Sequence, residues 1–138
     1  MSAESNIKTV NSLYAAFVHG DVPGLLDTLG EDIDWATETT STVAPWYGKR
    51  HGKEAVASFV QQLGSTMEVQ DFTPALYAVA DSDVLTVVHF RGRNRATGVS
   101  VVMDVHHRFT FRGEKIVYYR GTEDTAQIEA SFHPSGKG

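Results

Sequence analysis

Between Val99 and Phe111 polar and apolar residues alternate, with Met103, Val105, His107, Phe109 and Phe111 on one face and Asp104, His106, Arg108 and Thr110 on the other. A period of two with one apolar side predicts a half-buried strand. Arg112-Gly113-Glu114 reads as a short turn, and the pattern returns as a second strand over Lys115 to Thr122. Two further strand-like runs, Val69 to Val79 and Val84 to Arg93, flank the turn Ala80-Asp81-Ser82-Asp83. The N-terminal third has a different period. Ile7, Val10, Leu13, Tyr14, Phe17 and Val18 recur at helical spacing, which predicts an amphipathic helix from about Ser5 to His19, capped by Ser2 or Ser5 and ended by Gly20. Asp21 offers an N-cap for a shorter helix with Pro23 in its first turn, Leu25, Leu26 and Leu29 on its buried side, and Gly30 as its stop. Asp32 to Thr37 reads as a short strand, Thr39 to Gly52 as an aperiodic loop, and Val56, Phe59, Val60 and Leu63 as a third helix. A short helix follows Asp124, its expected N-cap; residues 1–4 and 133–138 are expected to fray.

Three helices followed by a long meander predict one α+β domain spanning residues 1–138, with helices packed on one face of an antiparallel sheet. A turn at Ala96-Thr97 sets Phe90 opposite Met103, Val88 opposite Val105 and Thr86 opposite His107, which places both apolar sets on one side. On the last strand Val117, Tyr119 and Gly121 share that side. The expected pocket is lined by Trp35, Val88, Phe90, Met103, Val105, His107, Phe109 and Tyr119, with Tyr14 from the first helix; it is apolar with a few polar groups, as small-molecule sites are. His107 interrupts the apolar face, where an imidazole either trades protons near neutral pH or is a core residue bonded to Thr86 or a tyrosine. Trp46 and Tyr47, adjacent aromatics in a polar loop, either close the mouth of this pocket or pin the loop to the body.

Composition and charge narrow the partners. The absence of cysteine excludes disulfides and thiolate catalysis. Residues 1–69 carry four Lys/Arg against nine Asp/Glu, and residues 70–138 carry eight against eight, so no basic stripe marks a nucleic-acid partner. No signal-like segment or membrane-length apolar run is evident, so a cytoplasmic protein without a membrane partner is expected. Leu85, Val87 and Val102 alternate with His89, Arg91, Asp104, His106 and Arg108 on the outer sheet face, a mixture suited to a homodimer contact. His89, Asp104 and His106 share that face, but their spacing matches no metal motif, and no metal site is expected.

The stretch VVMDVHHRFTFRGEKIVYYRGTEDTAQI resembles the C-terminal half of SnoaL-like, ketosteroid-isomerase-related proteins of the nuclear transport factor 2-like superfamily. The resemblance rests on a strand with His107, a turn running into Lys115-Ile116, a strand carrying Arg120, and Asp124 before a helix. Glu114 stands where the family has glycine. LYAAFVHGD, EDIDW and WYGKRHGKEAVASF extend it over nearly the whole chain. It implies a cone-shaped roll, three N-terminal helices on a curved sheet with a pocket between. It also implies cofactor-free acid/base chemistry on an apolar substrate, polycyclic or otherwise carbonyl-bearing, with His107 near the position that donates to the substrate oxyanion. The family's general base falls at Thr37 or Glu38, and Glu38 is the usable carboxylate; its helix-one tyrosine falls at Leu13 or Tyr14. The alternatives are a non-catalytic pocket protein for an apolar metabolite and a dimeric interaction module.

Overall fold

The computed structural model describes residues 2–134. Its elements are α1 (Ala3–His19), α2 (Val22–Leu26), β1 (Leu29–Thr37), β2 (Arg50–His51), α3 (Lys53–Thr66), β3 (Met67–Ala80), β4 (Asp83–Asn94), β5 (Ser100–Arg112), β6 (Lys115–Thr122) and α4 (Thr125–Ser131). The chain is α+β, with six strands in the order β2-β1-β6-β5-β4-β3 in one curved, open sheet. Irregularities of register between β3 and β4, between β5 and β6, and between β1 and β6 supply local bends. α1 packs against β3 and β4, and α3 against β1, β2 and β3.

α1 starts earlier than its periodicity suggests. Ser2 and Ser5 form a reciprocal capping box that orders residues expected to fray, and Gly20 closes the helix at φ 71°. Its buried side is Val10, Leu13, Tyr14 and Ala16, while Val18 points to solvent. α2 is shorter than expected. Leu29 and Gly30 begin β1 instead of ending the helix, because Leu29 pairs with Ile116 of β6 and is fully buried there. The expected loop to Gly52 yields its last two residues before that glycine to β2, which pairs with β1. Of the expected C-terminal fray, residues 135–138 lie outside the described residues; His133 N–H donates to Ala130 O at 3.1 Å in the last turn after α4.

The β4–β5 register is as anticipated, with Phe90 opposite Met103, Val88 opposite Val105 and Thr86 opposite His107. Two pairings differ from expectation. β1 runs parallel to β6, so the sheet is mixed. An irregularity between Thr110 and Phe111 puts Ile116 into the core in place of Val117, and beyond it Tyr119 and Gly121 face inward. Among the described residues no helix is long and apolar enough to cross a membrane.

Candidate functional site

Three polar side chains meet inside the concave face. Tyr14, on the buried side of α1, places its hydroxyl 2.6 Å from Thr86 Oγ1 and 2.7 Å from His107 Nδ1. Thr86 and His107 are cross-strand partners, so the hairpin register and one helix position assemble the chain. Phe72 and Phe109 meet the Tyr14 ring edge-on, and Phe109 and Tyr119 meet the His107 ring the same way. Burial, with a smaller contribution from neighbouring His106, pushes the His107 imidazole down to about 3. The ring is therefore neutral near pH 7 and does not trade protons there, as its ordinary pKa would allow. Burial likewise holds the Tyr14 hydroxyl well above the usual phenol range. When Tyr14 donates to Nδ1, the neutral ring carries its proton on Nε2 and becomes a donor there.

A fourth group was not anticipated. The inward alternation of Tyr119 and Gly121 continues past the end of β6 to Glu123, which lines the same cavity as His107. Trp46 Nε1 donates to Glu123 Oε2 at 3.3 Å, and Tyr47 Oη donates to the same oxygen at 2.8 Å. Burial raises the Glu123 carboxyl above the ordinary range, and the two donors partly offset it. Among the described residues no cation is paired with it. The signal was present in the 119, 121, 123 spacing, but a carboxylate beside the N-cap Asp124 reads as turn chemistry. Asp124 does cap α4, accepting from Gln127 N–H at 3.2 Å.

Tyr14, Trp35, Trp46, Phe90, Met103, Val105, His107, Phe109 and Tyr119 all line this cavity, as expected; Thr37, Phe59 and Phe72 also do. Val88 is fully buried but belongs to the packed core rather than the lining. Glu38 is not part of the site. β1 ends with Thr37 turned in, so alternation sends Glu38 out, where it is 57% exposed and ion-paired with Arg120 Nε at 3.0 Å. Trp46 walls the cavity at 1% exposure and ties its loop to Glu123. The cavity has a volume of about 60 Å³, room for a compact molecule. On the outer face His89 lies 3.2 Å from Asp104 and 3.9 Å from Asp71, without His106. Among the described residues no group of three or more His, Cys, Asp or Glu is placed to hold a metal ion.

Solved structures share this architecture. A nuclear transport factor 2-like protein from Burkholderia xenovorans LB400 is 27% identical, with 96% of this chain and 99% of that one covered at a TM-score of 0.85. TerC co-crystallised with polyporic acid is 18% identical, covering 92% and 97% at 0.80. A Catenulispora acidiphila protein with a ketosteroid isomerase-like fold, in complex with trimethylamine, is 14% identical, covering 94% and 95% at 0.77. No curated protein matches the chain. A family model described as a SnoaL-like domain matches residues 10–119, a span that carries most of α1, all of α3, His107 and Tyr119. On that match and this fold, the chain belongs to the SnoaL-like domain family of the nuclear transport factor 2-like superfamily.

Proposed function

We propose that the cavity takes a compact, apolar, carbonyl-bearing molecule and moves a proton on it, in the manner of an isomerase. The observation that carries this reading is Glu123, a carboxyl without a cationic partner among the described residues, lining one apolar cavity with a neutral imidazole, His107. As carboxylate, Glu123 accepts a proton from the carbon next to the carbonyl; its raised pKa brings the two protonation states closer to neutral pH. The electron pair moves onto the carbonyl oxygen, which accepts a hydrogen bond from His107 Nε2–H. Tyr14 holds that tautomer by donating to Nδ1, with Thr86 behind it. Glu123 then returns the proton to the same carbon or to one conjugated with it. These steps call on side chains of this chain alone and invoke no metal or organic cofactor. Two proteins of the same fold crystallised with small organic molecules, polyporic acid and trimethylamine, support the small-molecule reading.

The test is deuterium exchange next to the carbonyl of small cyclic ketones, followed by NMR with catalytic amounts of protein. Exchange that depends on Glu123 and His107 is expected. Ketones that bind without exchanging would leave a non-catalytic pocket protein, the second reading.

The outer face carries a proposal of its own. Leu76, Leu85 and Val102 are 58%, 42% and 49% exposed there, between His89, Arg108 and the Arg120 ion pairs. This mixture suits a second copy of the chain. Sedimentation should give a species of twice 15.1 kDa at micromolar concentration, and a monomer there would remove the proposal.

A further inference from the structure

A groove outside the cavity runs between the end of α1, the last turns of α3 and the start of β3. It has a volume of about 460 Å³ and shares Phe17, Val60, Met67 and Phe72 with the cavity, so the two spaces meet at those side chains. Met67 is fully buried between them and Val60 nearly so. Phe17 and Phe72 are half-buried and stand at the opening, with ring centroids 5.0 Å apart. Phe72 in turn meets the Tyr14 ring edge-on at 5.2 Å, and Tyr14 bonds His107. The groove therefore leads toward the site along one run of side chains.

Two features of the groove call for an occupant. Gly64, in the last turn of α3, lines the groove with no side chain, although a Cβ there would meet nothing within 4 Å. Glycine weakens a helix relative to any residue but proline, so packing does not account for it; the bare backbone keeps the groove open. The second feature is charge. Arg95 N–H donates to Thr66 O at 2.9 Å and its Nε–H donates to Gly64 O at 2.9 Å. These bonds hold the side chain at the end of α3 and leave both Nη groups without a partner among the described residues. The nearby carboxylates are engaged elsewhere. An irregularity at Gln70 keeps Val69 opposite Gly92 and Phe72 opposite Phe90 on the concave side, and it turns Asp71 outward, 3.9 Å from His89. Glu68 pairs with Arg93 at 3.1 Å.

We propose that this groove holds the aliphatic tail of the ligand whose carbonyl enters the cavity, and that Arg95 takes a carboxylate at the end of that tail. The substrate class is then an oxo acid, with a carbonyl near one end, methylene groups in the middle and an anion at the other end. The inference rests on the proton-transfer reading, which places the carbonyl between Glu123 and His107. Val60, Met67, Val69 and Phe72 offer apolar surface to the methylene groups, and the two free nitrogens of the guanidinium fork match the two oxygens of a carboxylate. Charge also sets which end goes in. An oxo acid entering carboxylate first would meet Glu123 inside the cavity, whereas the reverse orientation leaves its anion at Arg95.

The experiment measures binding by calorimetry with 7-oxooctanoate, its methyl ester and the shorter 4-oxopentanoate. Proton exchange in ordinary water leaves these saturated ketones unchanged, so wild-type protein serves. At low salt 7-oxooctanoate should bind about fivefold tighter than its ester, and the difference should vanish in about 0.5 M sodium chloride and in Arg95→Gln. Arg91→Gln, which removes the same charge from the outer face, should keep it. 7-Oxooctanoate should also bind about tenfold tighter than 4-oxopentanoate, an advantage that Gly64→Leu should remove by filling the groove. Equal binding of acid and ester, a preference that survives Arg95→Gln or is lost equally in Arg91→Gln, a length advantage that survives Gly64→Leu, or no binding of the oxo acid would each overturn the inference. Such a failure with Glu123-dependent exchange on small cyclic ketones intact would remove the groove and leave proton transfer standing. An Arg95-dependent preference for the acid without any exchange would do the reverse.

Discussion

Glu38 and Glu123 stand just beyond the ends of two neighbouring strands, β1 and β6, on opposite faces of the sheet. Outside, Glu38 meets Arg120, whose guanidinium also pairs with Asp34 at 3.0 Å and lies over the Tyr118 ring at 4.3 Å. Inside, Glu123 meets an indole N–H, a phenol and an apolar cavity. One carboxylate has its charge matched by a cation and by water, which leaves it structural. The other has no cation among the described residues and is only partly open to water, so its charge is available to a ligand and costly to hold. The difference is a matter of one residue in strand phase, not of residue type. His89 and His107 repeat the contrast: the outer imidazole sits between two carboxylates, the inner one among aromatic rings with a tyrosine.

The sharpest way to break this comparison is to neutralise each carboxylate in turn. Glu123→Gln should lower deuterium exchange on small ketones by about a hundredfold or more, whereas Glu38→Gln should leave it within about twofold. Equal losses would mean that the face of the sheet does not decide the chemistry.

The next largest effect separates the histidines by pH. The folded value of His107 lies below the ordinary 6.5, so between about 6.5 and about 3 the unfolded chain binds a proton that the folded one refuses. Stability from this group is present above that window and is lost as pH falls through it. Urea denaturation from pH 7 to pH 4 should cost the wild type about 2 kcal/mol more than His107→Gln. Glu123 has the opposite sign: its raised value makes the folded state less favourable as pH rises above the ordinary carboxyl range, so Glu123→Gln should gain stability relative to wild type as the pH is raised from there.

Tyr14→Phe tests the polar chain itself. It leaves Thr86 and His107 Nδ1 without their shared partner, and thermal melts should show a loss of roughly 1–3 kcal/mol. The smallest effect belongs outside. Glu38→Ala leaves Arg120 paired with Asp34, and its cost in the same melts should be less than about 1 kcal/mol.

Much of the scaffold is local and was therefore legible in the chain. Period-two runs announced β3 to β6, helical spacing announced α1 and α3, and the Ala96-Thr97 turn set Thr86 opposite His107 through the demand that both apolar sets share a side. The same alternation identified the part of the cavity lining that β4, β5 and β6 contribute through Phe90, Met103, Val105, His107, Phe109, Tyr119 and Gly121, because residues i and i+2 of a strand must look the same way. Three features needed the tertiary structure. The parallel β1–β6 pairing joins segments some eighty residues apart, and it turned Leu29 and Gly30 from a helix end into a strand start. The irregularity at Thr110 to Phe111 exchanged Val117 for Ile116, a shift no periodic reading can place. The Trp46-Tyr47 loop, without a period of its own, folded back over the end of β6 and made Glu123 a half-buried acid, while Glu38 found Arg120 on the other side. Strand phase is written in neighbouring residues; which carboxylate loses its water depends on what distant chain comes to cover it.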